Sequence, residues 1–102
     1  MNDILLFPVV TTTEDELGQV EVSEYFTRQV FCEKKSVSQN EFFQAGQNGF
    51  KPKCVLVVYT MDYQEEQKVK YRDKEYNIYR SYERNDEKIE LYCEVKVGGK
   101  YQ

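Results

Sequence analysis

The stretch that most constrains the fold is the alternation at residues 88–97. Ile89, Leu91, Cys93, Val95 and Val97 interleave with Lys88, Glu90, Tyr92, Glu94 and Lys96 without a slip. Side chains of a strand point to opposite faces in turn, so this segment has one apolar and one wet face. That pattern belongs to a half-buried antiparallel strand, which must lay its apolar face on a core made by other strands. The rest of the chain must therefore supply a sheet.

It does so in short pieces. Residues 4–10 form an apolar run with Pro8 inside it; proline has no amide to donate, which favours an edge strand. Residues 11–19 read as a polar hairpin loop with Gly18 near its end. From Val20 to Lys35 the pattern is long and extended. Val20, Val22, Phe26, Val30 and Cys32 share one parity, but Glu24, Arg28 and Lys34 share it too, which predicts a bend, a bulge or partial exposure. Cys54–Tyr59 is a continuous apolar run of strand length. After a polar loop at 60–67, residues 68–71 and 75–82 read as a hairpin through Arg72, Asp73 and Lys74, with Asp73 as the turn residue. A second turn falls at Arg84–Glu87, and Gly98 and Gly99 release a flexible tail over 98–102. About six strands, several in consecutive hairpins, predict a mainly β fold: a small antiparallel barrel or sandwich forming one domain over 1–102.

One insertion interrupts this scheme, at residues 36–49. Ser38 is a good helix N-cap and Glu41 follows three positions later. In that S-x-x-E capping box each side chain is expected to take one orphan amide of the first turn. Phe42, Phe43, Gln44 and Ala45 continue the helix. Gly46 and Gly49 offer stops through their freedom at positive φ. Two turns of helix cannot hold themselves together in water. A short capped helix between two strands is either a plug for a barrel end or a movable segment, with Ser38 and Glu41 as its cap and Gly46 and Gly49 as its hinge.

The chemistry of the chain excludes more than it supports. With no His, Ser and Cys nucleophiles lack their usual base, and no phosphate-cradling glycine loop occurs. No catalytic residue, cofactor or metal site is expected, and the protein reads as a non-enzyme. Cys32, Cys54 and Cys93 lie in apolar strand contexts without a C-x-x-C pair, which predicts buried, reduced thiols. The 14 basic and 18 acidic residues are interspersed, arguing against a face that grips nucleic acid for affinity. No stretch is long enough to span a bilayer, and the opening MNDILLFPVV lacks a basic start, so no membrane partner and no secretory leader are expected. Tyrosines beside basic residues at 68–84 could stack bases, but interleaved carboxylates make that stretch read more simply as the outer face of a hairpin.

Taken in order, V-S-Q-N-E-F-F-Q-A-G-Q at 37–47, C-V-L-V-V-Y at 54–59, K-V-K-Y-R-D-K-E-Y-N-I at 68–78 and I-E-L-Y-C-E-V at 89–95 are similar to the phage head closure proteins, also called head–tail joining or stopper proteins. The resemblance covers roughly residues 20 to 97. It departs from the family pattern at Asp73, often Gly there, and in the long second strand, where an aromatic position is often Trp. The first twenty residues match only as strand-then-loop.

The resemblance implies a structural connector subunit of a tailed phage or prophage, made in the bacterial cytoplasm and built into the virion. It implies a small barrel that assembles as a ring, dodecameric in related connectors, with monomers in isolation as the other state. The ring would sit beneath the portal and its adaptor, complete the DNA-filled head and offer the tail completion or terminator protein a docking surface. The loop after the long second strand would line the channel, touch packaged double-stranded DNA transiently and close behind it. Here that loop is Lys35–Phe50. The residues of the segment fit that role if Phe42 and Phe43 pack between neighbouring segments while Gln39, Asn40, Gln44 and Gln47 face the lumen; the alternative, expected of one of the two, is that Phe42 or Phe43 caps the barrel core. The alternative class is a small monomeric barrel that binds single-stranded nucleic acid or another ligand.

Overall fold

The structure, a computed structural model, describes residues 1–95. Six antiparallel strands close into a barrel: β1 (Asp3–Glu14), β2 (Val20–Lys35), β3 (Pro52–Tyr59), β4 (Lys68–Tyr71), β5 (Lys74–Glu83) and β6 (Lys88–Val95), in spatial order β1-β2-β3-β6-β5-β4. One helix, α1 (Gln39–Gln47), lies between β2 and β3, and a single turn of 3-10 helix (Thr60–Asp62) follows β3. The expected mainly β fold is the observed one. Val97 and the tail from Gly98 fall outside the described residues.

The core follows from the alternation. Leu5, Phe7, Val30, Cys32, Leu56, Val58, Val69, Leu91 and Cys93 are buried together inside the barrel. β3 is apolar and buried from Cys54 to Val58 because it is covered twice. Leu56 and Val58 point inward, whereas Val55 and Val57 are buried on the outer face, where α1 packs against the strand. Cys32, Cys54 and Cys93 are all free and buried, and burial pushes the Cys32 thiol up to about 12.

Two differences from the sequence reading matter for function. First, β1 does not stop at Val10 but runs to Glu14, so the expected nine-residue connector shrinks to the turn at 15–19. There the Asp15 carboxylate accepts the Leu17 and Gln19 amides at 2.9 Å each, and Gly18 takes φ +80°. Second, the long β2 is bulged as its broken parity suggested. Phe7 pairs with Arg28 and Pro8 with Phe26, leaving Thr27 as the extra residue. Even-numbered residues beyond the bulge therefore change faces. Val30 and Cys32 point into the core, but Val20 and Val22 stand on the outside, each 64 % exposed. Proline is tolerated at the bulge because the ladder is already interrupted there.

Beyond the bulge, β1 and β2 leave the barrel as a two-stranded arm. β1 pairs with β4 only at Leu6, and β2 with β3 only over Glu33–Lys35, so the outer edges of the arm have no ladder partner, although Lys68 of β4 reaches Glu24 of the arm at 3.0 Å. Where the arm departs, Arg28 closes the barrel. Its guanidinium lies 4.9 Å from the Phe7 ring centre, is paired with Glu66, and donates to the Asp62 carbonyl at 2.9 Å. Tyr63 packs on Phe7 beside it. At the other end the Tyr71 hydroxyl and Arg72 both donate to the Asp3 carboxylate, in the β4–β5 turn where Arg72 and Asp73 both take positive φ. That is the two-residue hairpin geometry, made here without glycine.

Candidate functional site

The 36–49 insertion is a helix clipped to the outside of the barrel. Ser38 is extended (φ −71°, ψ 158°), and its hydroxyl accepts the Glu41 amide at 3.1 Å, the N-cap its sequence predicts. The capping box is completed on one side only. The Glu41 carboxylate does not return to the Ser38 amide but crosses to β5, where the Tyr79 hydroxyl donates at 2.7 Å and Arg80 donates through Nε at 3.1 Å and through Nη2. A guanidinium fork and a phenol outcompete one neutral amide for a carboxylate.

A bulge brings that pair into reach. Ile78 pairs with Cys93 and Arg80 with Tyr92, so Tyr79 is the extra residue. Without it Arg80 would share Ile78's parity and point into the core; with it, Arg80 lies on the outer wall, 3.8 Å over the Tyr92 ring. Glu41 and Ala45, one turn apart, are the only buried residues of α1, and Glu41 is 8 % exposed. Arg80 and, secondarily, Tyr79 hold the Glu41 carboxyl below its usual range against the opposing effect of burial, while burial and Glu41 push the Tyr79 phenol up.

The far end of the helix is also fixed. The Phe50 amide donates to Ala45 and the Gly49 amide to Gly46, at 3.0 and 3.1 Å, with Gly49 at φ +89°. This is the paired Schellman closure. Gly49 is thus the stop expected of it. Gly46 is not: it sits inside the last turn, and a Cβ there would meet open space. Phe50 then stacks on Tyr79 at 4.8 Å and 16° between planes, and the Lys51 amide donates to Glu94 at 3.1 Å.

The expectation that Phe42 or Phe43 caps the core is wrong. They are 54 % and 60 % exposed, because the barrel ends are already filled by Arg28 with Tyr63 and by Tyr71. Nor is α1 a plug for the barrel; it lies against the wall. Gln39, Asn40, Gln44 and Gln47 are exposed as well. One segment therefore presents two bare aromatic rings and four amides, held to its own barrel by the Glu41 carboxylate, the buried Ala45 and the Phe50 stack.

Sequence reasoning missed Tyr79, Arg80, Tyr92 and Phe50. Arg80 read as a solvated hairpin residue because bulges are invisible to a period-2 count. The stretch considered for base stacking is mostly occupied. Tyr71 and Tyr76 are buried, Lys68 pairs with Glu24 at 3.0 Å, and Arg84 pairs with Asp86 and Glu90.

Among the described residues no helix is long and apolar enough to cross a membrane, and no group of three potential metal ligands occurs. The family model described as phage head completion protein matches residues 1–98. No curated protein matches the chain.

Proposed function

The chain belongs to the phage head completion protein family, a structural component of the virion that works among other head and tail proteins, and from that premise we propose that it is a ring-forming stopper whose 36–49 segment closes the DNA channel. In this reading copies stand side by side beneath the portal and its adaptor. They are made in the bacterial cytoplasm, join the packaged head, and present the tail completion or terminator protein with a docking surface. Twelve copies is the number that related connectors suggest.

The observation that carries the reading is the exposure of Phe42 and Phe43 on a helix too short to be stable alone. Large apolar side chains gain from burial, at about 25 cal/mol per Å² removed from water. A protomer leaves these two rings wet, and neighbours around a shared axis would cover them. The rings would then pack between adjacent segments while Gln39, Asn40, Gln44 and Gln47 line the opening, neutral donors and acceptors along which DNA phosphates slide without being held. Ser38 and Gly49 fix where the segment begins and ends, and Glu41 docks it on the wall.

The test is the double variant Phe42→Ser, Phe43→Ser. Both positions are exposed, so the protomer keeps its fold and its melting temperature within a few degrees, surface changes costing about 0.5 kcal/mol each. Virions carrying it lose packaged DNA. Full DNA retention with a folded variant would falsify the closing role.

A further inference from the structure

We propose that the barrel end carrying the arm faces the tail, and that the notch between residues 59–61 and the turn at 83–87 receives a lysine or arginine from a basic segment of the tail-side protein. The inference rests on the stopper reading above and names the end, the anchor point and the chemistry of the partner.

The walls of the notch are tied together. Tyr59 at the end of β3 stands opposite Lys88 at the start of β6, and the Thr60 amide donates to the Glu87 carbonyl at 2.9 Å. Between the two turns lies a space of about 440 Å³ lined by Tyr59, Thr60, Met61, Glu83, Asn85 and Glu87, together with Arg84. Met61 is 86 % exposed and Tyr59 42 %. The hydroxyl oxygen of Thr60 is buried and has no hydrogen-bond partner among the described residues. Apolar walls, an idle hydroxyl and two carboxylates suit one long cationic side chain. Its methylene stem covers Met61 and Tyr59 while its charged head meets Glu83 and Glu87.

Charge identifies the occupant once every residue of this end is counted. Residues 8–28, 60–68 and 82–90, which build the end, hold 12 acidic and 4 basic residues, a balance of −8. Three of the four bases are engaged: Arg28 with Glu66, Lys68 with Glu24, and Arg84 with both Asp86 and Glu90. The fourth, Lys88, lies over the Tyr59 ring. Glu83 and Glu87 are exposed and have no salt bridge among the described residues. The rest of the described chain holds 8 basic and 6 acidic residues, a balance of +2 that is too even to attract this end. A second copy is therefore not the occupant.

The same balance sets the direction. Duplex DNA carries one negative charge per about 1.7 Å of helix axis, and a ring repeats the acidic end in every copy. Turned towards packaged DNA, that end would be repelled, so it faces away. The chain leaves β2 at Lys35 and re-enters β3 at Pro52, both at the opposite end of the barrel, which puts the closing segment on the DNA side. The acidic end then meets the tail-side protein, and a basic segment is the chemistry that protein must offer. Charge of this kind fixes orientation and speed of encounter more than affinity, and a cationic side chain seated in a pocket supplies the anchor.

The experiment adds purified full-length chain to packaged heads that carry portal and adaptor, and then adds purified tails. Copies loaded per head and heads joined to tails are counted at low and high salt. Two variants are compared with wild type: Glu83→Lys with Glu87→Gln at the notch, and Glu33→Lys with Asp73→Asn at the other end, which change the net charge equally. All four positions are exposed, so melting temperatures stay within a few degrees of wild type. Wild type loads and joins, and joins less at high salt. The notch variant loads fully but joins about tenfold less or worse at low salt, the loss expected when a charged anchor goes unmet. The control matches wild type in both counts. A notch variant that joins as wild type does overturns the anchor. Loss of loading in the notch variant alone means that the acidic end meets the head, and overturns the direction. Equal loss of joining in both variants means that net charge alone acts, and overturns the notch. Wild type that fails to load removes the stopper reading itself.

Discussion

Replacing Glu41 by Gln should free α1 without unfolding the barrel. Three groups meet on this carboxylate: Tyr79 at 2.7 Å, Arg80 Nε at 3.1 Å, and Arg80 Nη2. Hydrogen bonds to charged groups contribute about 1.5–3 kcal/mol each in favourable settings. The Arg80 side chain is 44 % exposed while that of Glu41 is 10 % exposed, so water recovers much of the guanidinium's loss. The Gln retains shape and one acceptor but turns an N–H₂ towards the Arg80 fork. A net loss of about 1–2 kcal/mol follows, equivalent to a factor of roughly 5–30 in the docking equilibrium. A helix as short as Gln39–Gln47 has no stability of its own to fall back on, so the whole loss appears as local opening. Native-state hydrogen exchange reads it directly: amides of Phe43 to Gln47 exchange about 5–30-fold faster, while those of Leu56 and Leu91 in the barrel hold their rates. Equal acceleration in α1 and barrel would mean that the helix is part of the cooperative core. No acceleration at all would mean that Ala45, Phe50 and the Gly49 closure suffice, and the latch assignment would be wrong.

Acid should act on the same latch. The Glu41 and Asp3 carboxyls are both held below their ordinary values, Glu41 mainly by Arg80 and Asp3 mainly by the Tyr71 hydroxyl. A depressed folded-state pKa gives stability that is complete above the unfolded value, near pH 4, and is lost as pH falls through the folded value. Thermal melts from pH 7 to pH 2 should therefore be flat above about pH 5 and decline below pH 4, and E41Q should decline less. The two glycines of the segment should respond oppositely. Gly49→Ala forces a side chain into φ +89° and costs about 1 kcal/mol, whereas Gly46→Ala meets no atom and gains about 0.5–1 kcal/mol of helix stability. Melting temperatures that move the same way for both would contradict the observed helix end.

Of the fold, what could be read in advance was whatever obeys a period. The β6 alternation, the unbroken apolar run of β3 and the Ser38 cap all state their structure locally, since burial side and first-turn bonding are decided within a few residues. The arm and the latch do not. Each depends on one extra residue in a strand, Thr27 and Tyr79, and an extra residue reverses the meaning of every side chain beyond it without changing composition. Residues 11–14 hid their strand for a second reason: Thr11, Thr12, Thr13 and Glu14 bury nothing, so no apolar signal marks them, and only pairing with β2 makes them extended. Glu41 was legible as a cap residue but not as a tether, because its partners lie 38 and 39 positions away.

The features that escaped a periodic reading are also those with the most to do outside the protomer. A side chain whose position is settled by local burial is spent on the protomer's own stability. The Thr27 bulge instead turns Val20, Val22 and Phe26 outward onto a bare ribbon, and the Tyr79 bulge turns Arg80 outward to hold a helix that leaves Phe42 and Phe43 wet. The first adds nothing to the isolated barrel, since it leaves Val20 and Val22 exposed; the second keeps a guanidinium out of the core and gives it the Glu41 carboxylate instead. They make sense as surfaces prepared for other molecules. The two bulges differ in kind: the first sends out a passive face that any complementary neighbour can cover, and the second builds a latch of limited strength.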